Sequence, residues 1–211
     1  MTNWKTIAGT AGIAGLMMAI ATPSWAETPA APQPKVRPGS EWSKPAPAGG
    51  TVELKDQKGN TVGTLVLTTG ESGIAMTGKF TGLPPGVHGF HIHDKGVCKG
   101  DFATAGGHFN PGHTKHGILA ETGRHAGDLP NLDVPASGAV NVDLFLTGVS
   151  LTPGSPINLH DQDGASFVVH AGPDDYKSDP SGNSGGRIAC GVLEVSKPAA
   201  APAPAEPAAP K

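Results

Sequence analysis

From Thr51 onward the chain is written in a period of two. Thr51-Val52-Glu53-Leu54-Lys55 alternates polar and apolar positions, and Thr61 to Thr68 alternates again through Val62, Thr64, Val66 and Thr68. Ile74, Met76, Gly78 and Phe80 share one face of a third segment. Successive strand side chains point to opposite faces of a sheet, so this alternation predicts strands with one buried face. Turn chemistry separates them at Asp56–Gly59, Glu71-Ser72-Gly73 and Leu83-Pro84-Pro85-Gly86. Further strands are predicted at Gly89–His93, Gly127–Leu132, Ala139–Leu146, Ser166–His170 and Ile188–Val195. No segment joins a helical period to caps. Eight short strands predict an all-β protein, an antiparallel sandwich or flattened barrel. Two long connections interrupt them, Lys95–Ala126 and Ala171–Arg187, and connections of this length in a compact domain are functional or unstructured.

Outside this region the pattern changes. Lys5, the small apolar run Thr6–Ala21 and the small-x-small sequence Ser24-Trp25-Ala26 form a secretory signal over residues 1–26, so the mature chain is expected to begin at Glu27. The alternative is an uncleaved membrane anchor, for which the run is short. Residues 27–48 and 197–211 are rich in Pro and Ala without a hydrophobic period, and read as a solvated linker and tail. One folded domain over 49–196 remains. The formal charge is −3 and no basic patch carries interleaved aromatics, so nucleic acid is not an expected partner. The two cysteines, Cys98 and Cys190, favour one disulfide in an exported chain over a pair of free thiols.

The chemistry lies in His91, His93, His108, His116, His125, Asp128 and His170. His91 and His93 are two apart on a strand and so point to one face. His108, His116, His125 and Asp128 crowd a Gly- and Pro-rich loop that has little reason to keep them unless something beyond the apolar core orders it. Imidazole suits Cu, Zn, Fe and Ni; the Asp128 oxygen suits zinc and is poor for Cu(I). These seven ligands exceed one tetrahedral site, and two neighbouring metals is the economical reading. His88 reads as a packing residue, His113 and Asp175 as solvent-facing, and His160 falls outside any motif.

Six motifs now stand in order: Gly89-Phe90-His91-Ile92-His93, Gly107-His108-Phe109-Asn110-Pro111, Lys115-His116-Gly117, Arg124-His125-Ala126-Gly127-Asp128-Leu129, Val168-Val169-His170 and Gly185-Gly186-Arg187-Ile188-Ala189-Cys190-Gly191-Val192. Over about residues 50–196 the chain resembles the copper-zinc superoxide dismutase family. The resemblance implies an eight-stranded antiparallel Greek-key barrel with two long functional loops. It implies one copper held by His91, His93, His108 and His170, and one zinc held by His108, His116, His125 and Asp128, with the His108 imidazolate between them. It implies dismutation of superoxide to dioxygen and hydrogen peroxide by a redox-cycling copper, with His108 also the proton donor. Arg187 would bind the anion, Asp174 would link His91 to His116, and Lys177 is a weaker steering candidate. The signal and the insert after Cys98 resemble those of bacterial periplasmic members. Family members occur as dimers or monomers, so a homodimer is compatible, and no stable membrane insertion is expected after cleavage. The rival reading is a secreted copper- or zinc-binding or copper-delivery protein on the same fold without dismutase activity. An adhesion-type sandwich with structural zinc would leave the copper-type imidazoles unexplained.

Overall fold

The structure is a computed structural model, and it describes residues 49–121 and 123–196. The expected signal over 1–26, the cleavage before Glu27, the linker over 27–48 and the tail over 197–211 lie outside the described residues. Strands run β1 Gly49–Asp56, β2 Thr61–Thr69, β3 Ile74–Thr81, β4 Gly86–His88, β5 Phe90–His93, β6 Leu132–Val134, β7 Ala139–Leu146, β8 Ser166–His170 and β9 Arg187–Ser196. Every pairing between these strands is antiparallel. One sheet has the order β5-β8-β9-β1-β2-β3-β7, and β4 pairs with β6. Only Gly89 separates β4 from β5, so the two are one interrupted strand and eight strand positions form a single curled row. The Pro135–Gly138 turn, closed by Gly138 N donating to Pro135 O at 2.8 Å, joins β6 directly to β7 and brings the ends of that row together. The all-β Greek-key expectation holds.

Two boundaries differ from the sequence reading. The expected strand over Gly127–Leu132 is reduced to an isolated bridge, His91 to Asp128, followed by β6 at Leu132–Val134. Pro130 supplies no N–H for a ladder and restricts the residue before it, so regular pairing begins beyond it. Conversely, Gly86, read as the end of a break, opens a three-residue strand through His88 that is paired with Leu132–Val134.

β1 to β3 bury alternate residues, with Val52, Leu54, Leu65, Leu67, Ile74, Met76 and Phe80 inside. Phe80 meets Phe90 edge-on at 5.7 Å between ring centroids, and Phe90 meets Phe167 at 6.1 Å. Side chains of this size each contribute about 1.5–3 kcal/mol on burial. β5 and β8 are buried on both faces. Phe90, Ile92, Phe167 and Val169 belong to the barrel core. The opposite face, carrying His91, His93, Ser166, Val168 and His170, is covered by the two long loops. This double burial explains the unbroken apolar run Phe167-Val168-Val169, and it places the imidazoles on the outer wall of the barrel.

Candidate metal centre

β5 supplies His91 and His93, and the end of β8 supplies His170. Their strands are fixed by the pairs His91 with Val168 and His170 with Arg187. The first long loop is laced to β5 by backbone bonds: Ile92 N donates to Gly127 O at 2.9 Å, Gly127 N to Phe109 O at 2.8 Å, and Phe109 N to Ile92 O at 2.8 Å. Gly127 is required here, because a Cβ would stand 2.3 Å from Ile92 O. This lacing sets His108 beside His93 and Asp128 beside His91. The Cys98–Cys190 disulfide pins the same loop to β9, with Cα atoms 5.8 Å apart. Phe102, Ala105, Val168 and Cys190 form a small apolar cluster beneath it.

The side chains fall into two sets. One is His91, His93, His108 and His170; the other is His108, His116, His125 and Asp128. In each set one ligand atom per residue lies within 4.8 Å of the others. In the second set, His108, His116 and His125 bring their Nδ1 atoms to 2.8, 3.0 and 3.2 Å from Asp128 Oδ1. The other oxygen, Oδ2, accepts from Gly117 N at 2.9 Å and His125 N at 3.0 Å. Burial opposes ionisation of Asp128, yet the hydrogen bonds from His108, His116 and His125 hold its carboxyl far below the usual carboxylate range. Burial alone would lower His116, but its bonds to Asp128 and Asp174 lift it to about 9.

The first set has a different signature. Among the described residues, five buried side-chain polar atoms lack a partner, and four of them are His91 Nδ1, His93 Nε2, His108 Nε2 and His170 Nε2. An orphaned buried polar atom costs about 1–3 kcal/mol, so four in one space call for an explanation, and a cation provides it. The opposite ring nitrogens fix the tautomers. His93 Nδ1 donates to Gly106 O at 3.1 Å, His170 Nδ1 to Gly185 O at 3.2 Å, and His91 Nε2 to Asp174 Oδ2 at 2.9 Å. Each leaves a lone pair aimed into the shared space. Burial pulls His93 well below the ordinary imidazole value, His108 to about 4 and His170 to about 3. Both sets therefore fit metal ions: unpartnered imidazole nitrogens facing one space in the first, imidazoles around an ionised carboxylate in the second.

Asp174 stands behind both sets. Its Oδ1 accepts from His116 Nε2 at 2.9 Å and from Tyr176 N at 2.7 Å. Its backbone is clasped by Asn131, which donates Nδ2 to Asp174 O at 2.9 Å and accepts from Asp174 N at 2.8 Å. Gly182 passes so close, at φ +64°, that a Cβ would overlap Asp174 Oδ1. Hydrogen bonds from His91 and His116 outweigh burial and hold the Asp174 carboxyl below its usual range.

Arg187 lines a cavity of about 440 Å³ together with His108, His125, His170, Asn110 and Asp179. Its Nη1 and Nη2 donate to Phe102 O and Gly106 O, both at 2.6 Å. Gly106 O thus ties Arg187 to His93. Burial draws the Arg187 guanidinium below its ordinary value, opposed by the charges of Asp101 and Asp94. Lys177 and Asp175 are exposed, and neither lines this cavity. His113 and His160 are exposed, whereas His88 is buried between His170 O at 2.8 Å and Pro84 O at 2.9 Å. Asn131, Tyr176, Asp179 and Gly182 escaped the sequence reading. Tyr176, as the sole tyrosine in a charged loop, was the one detectable signal.

A Greek-key barrel carrying two overlapping sets of imidazole and carboxylate side chains, with one histidine common to both, defines a class of two-metal β-barrel proteins. The chain belongs to the copper/zinc superoxide dismutase family: the family described as "Copper/zinc superoxide dismutase (SODC)" matches residues 61–193. It is 44% identical over 144 residues to "Superoxide dismutase [Cu-Zn] 1" of Aquifex aeolicus, covering 67% of this chain and 85% of that protein. It is 40% identical over 147 residues to "Superoxide dismutase [Cu-Zn]" of Caulobacter vibrioides, covering 68% and 84%. The crystal structure of a SOD-like protein from Bacillus subtilis superposes with a TM-score of 0.66 at 43% identity, covering 68% of this chain and 97% of that one. Copper and zinc are the metals of this family, and the two side-chain sets fit them.

Proposed function

We propose that the protein converts superoxide to dioxygen and hydrogen peroxide. Copper would be held, one per subunit, by His91, His93, His108 and His170, and zinc by His108, His116, His125 and Asp128. The carrying observation is the group of four unpartnered imidazole nitrogens beside the cavity that Arg187 lines. When bound, copper supplies one-electron redox chemistry, and zinc, which has none, supplies charge and order.

The chain does the rest. The Arg187 guanidinium, oriented by its two carbonyl acceptors, binds the anionic substrate and stabilises charge on the reduced product. His108 presents Nδ1 to Asp128 and Nε2 to the other set, so as an imidazolate it would bridge the two ions. Its Nε2 can take up a proton and give it to the forming hydrogen peroxide. Asp174 keeps the protons of His91 and His116 on their Nε2 atoms, leaving Nδ1 free for ligation.

The setting is an exported one, a bacterial periplasm. A signal over 1–26 is removed and a Pro- and Ala-rich linker and tail flank the domain over 49–196. The disulfide and the bacterial relatives support this reading. The rival, a metal-binding or copper-delivery protein without activity, draws on the likeness to a Bacillus subtilis protein titled only "SOD-like". Metal analysis with a superoxide-removal assay separates them, with Arg187→Ala as control. One copper, one zinc and rapid removal that falls about 10–100-fold in the control are expected, the loss of a charge contact partly shielded from water. Full metal loading without removal of superoxide overturns the dismutase reading.

A further inference from the structure

The cavity beside the metal centre holds opposed charges. Among its lining residues Arg187 is the one permanently cationic side chain and Asp179 the one carboxylate. An acid at the mouth of an anion site works against capture, so its presence needs a reason. The structure supplies one. Asp179 Oδ1 accepts from the backbone N–H of His116 at 2.8 Å, across 63 residues, joining the loop before β9 to the metal-binding loop. The same oxygen lies 3.9 Å from His125 Nε2, and the carboxylate is half-exposed. It touches the backbone of one residue of the second set and faces the ring of another.

We propose that Asp179 is a positioning residue with two separable effects. Its hydrogen bond holds His116 and the second ligand set in place, while its charge subtracts from the Arg187 field that draws in the anion. The inference rests on the dismutase reading for the identity of the anion. The two effects separate because an amide keeps the acceptor and drops the charge.

The test uses the copper- and zinc-loaded protein, Asp179→Asn and Asp179→Ala. Superoxide removal is measured from low to high ionic strength. Azide, titrated through copper absorption, serves as an anion probe independent of turnover, and zinc retention is followed with a competing chelator. Asp179→Asn should keep zinc and raise both removal and azide affinity roughly two- to fivefold at low salt, the order expected for removing one unit charge from a largely hydrated cavity mouth. The gain should fade as salt screens the field. Asp179→Ala should release zinc more readily. Unchanged removal and azide affinity in Asp179→Asn at low salt overturns the charge effect, and unchanged zinc retention in Asp179→Ala overturns the positioning effect. Tighter azide in Asp179→Asn without superoxide removal by the parent protein supports the assignment and refutes the dismutase reading.

Discussion

Asp174→Asn should separate the two metals through hydrogen-bond polarity alone. The carboxylate accepts on both oxygens: Oδ2 from His91 Nε2 at 2.9 Å, and Oδ1 from His116 Nε2 at 2.9 Å and Tyr176 N at 2.7 Å. An amide keeps one acceptor and gains a donor. Its oxygen will take the Oδ1 place, where two donors wait, and its NH2 will then face the His91 Nε2–H. Both side chains of that pair are fully buried, so the clash of donors has no relief from water. An unsatisfied buried group costs about 1–3 kcal/mol. His91 can escape by moving its proton to Nδ1, but Nδ1 is the atom aimed into the first ligand set. Either outcome penalises the first set, and a loss of about 10–100-fold in copper affinity is expected, the range typical for a partner behind a ligand. The second set keeps its His116 bond to a weaker, neutral acceptor, so zinc should weaken less than tenfold. Competition titrations against chelators of each metal, on folded protein, read both affinities. Asp174→Ala, which removes both bonds, should weaken both metals. If Asp174→Asn lowered zinc as far as copper, or left copper untouched, the tautomer argument would be wrong.

His125→Ala should release zinc and retain copper, whereas His170→Ala should release copper and retain zinc, since each belongs to only one set; metal analysis of the two folded variants checks this, and equal loss of both ions from either would undo the division. Cleaving the Cys98–Cys190 bond, which closes a separation of 92 residues, should lower stability by at most about 4–5 kcal/mol in denaturant titrations of oxidised against reduced protein. The exported protein should have the intact mass of a chain beginning at Glu27, and a mass that retains residues 1–26 would mean an anchor.

How much of this was legible depended on whether a contact left a local trace. β1 to β3 and β7 to β9 were readable because each alternates or runs apolar over several residues. β4 and β6, three residues each and interrupted by Gly89 and Pro130, carry too little period to declare themselves. The seven residues proposed as ligands stood out by residue type and spacing. The groups that aim them did not. Asn131 acts on Asp174 across 43 residues, Asp179 on His116 across 63, and Arg187 reaches Gly106 across 81. Such pairings follow only from the closed barrel.

The division of labour between barrel and loops gives the centre its character. Three of the proposed ligands, His91, His93 and His170, stand on strands whose inner faces are core, so their backbones are fixed by burial of Phe90, Ile92, Phe167 and Val169. The other four proposed ligands come from the long connection between β5 and β6, in which Phe102, Ala105, Phe109 and Leu129 are the buried apolar side chains. Its position is imposed by the disulfide, the two Arg187 bonds, the lacing to β5 and the Asp179 bond to His116. His108 is where the two regimes meet: its backbone bridges to His93 on β5 while its ring reaches the Asp128 set. Arg187 also belongs to both, for the same guanidinium that lines the cavity anchors the loop through Phe102 O and Gly106 O. On the proposed function, substrate capture and loop order are thus carried by one side chain, and a lysine, with charge but no planar fork, is expected to replace it only in part.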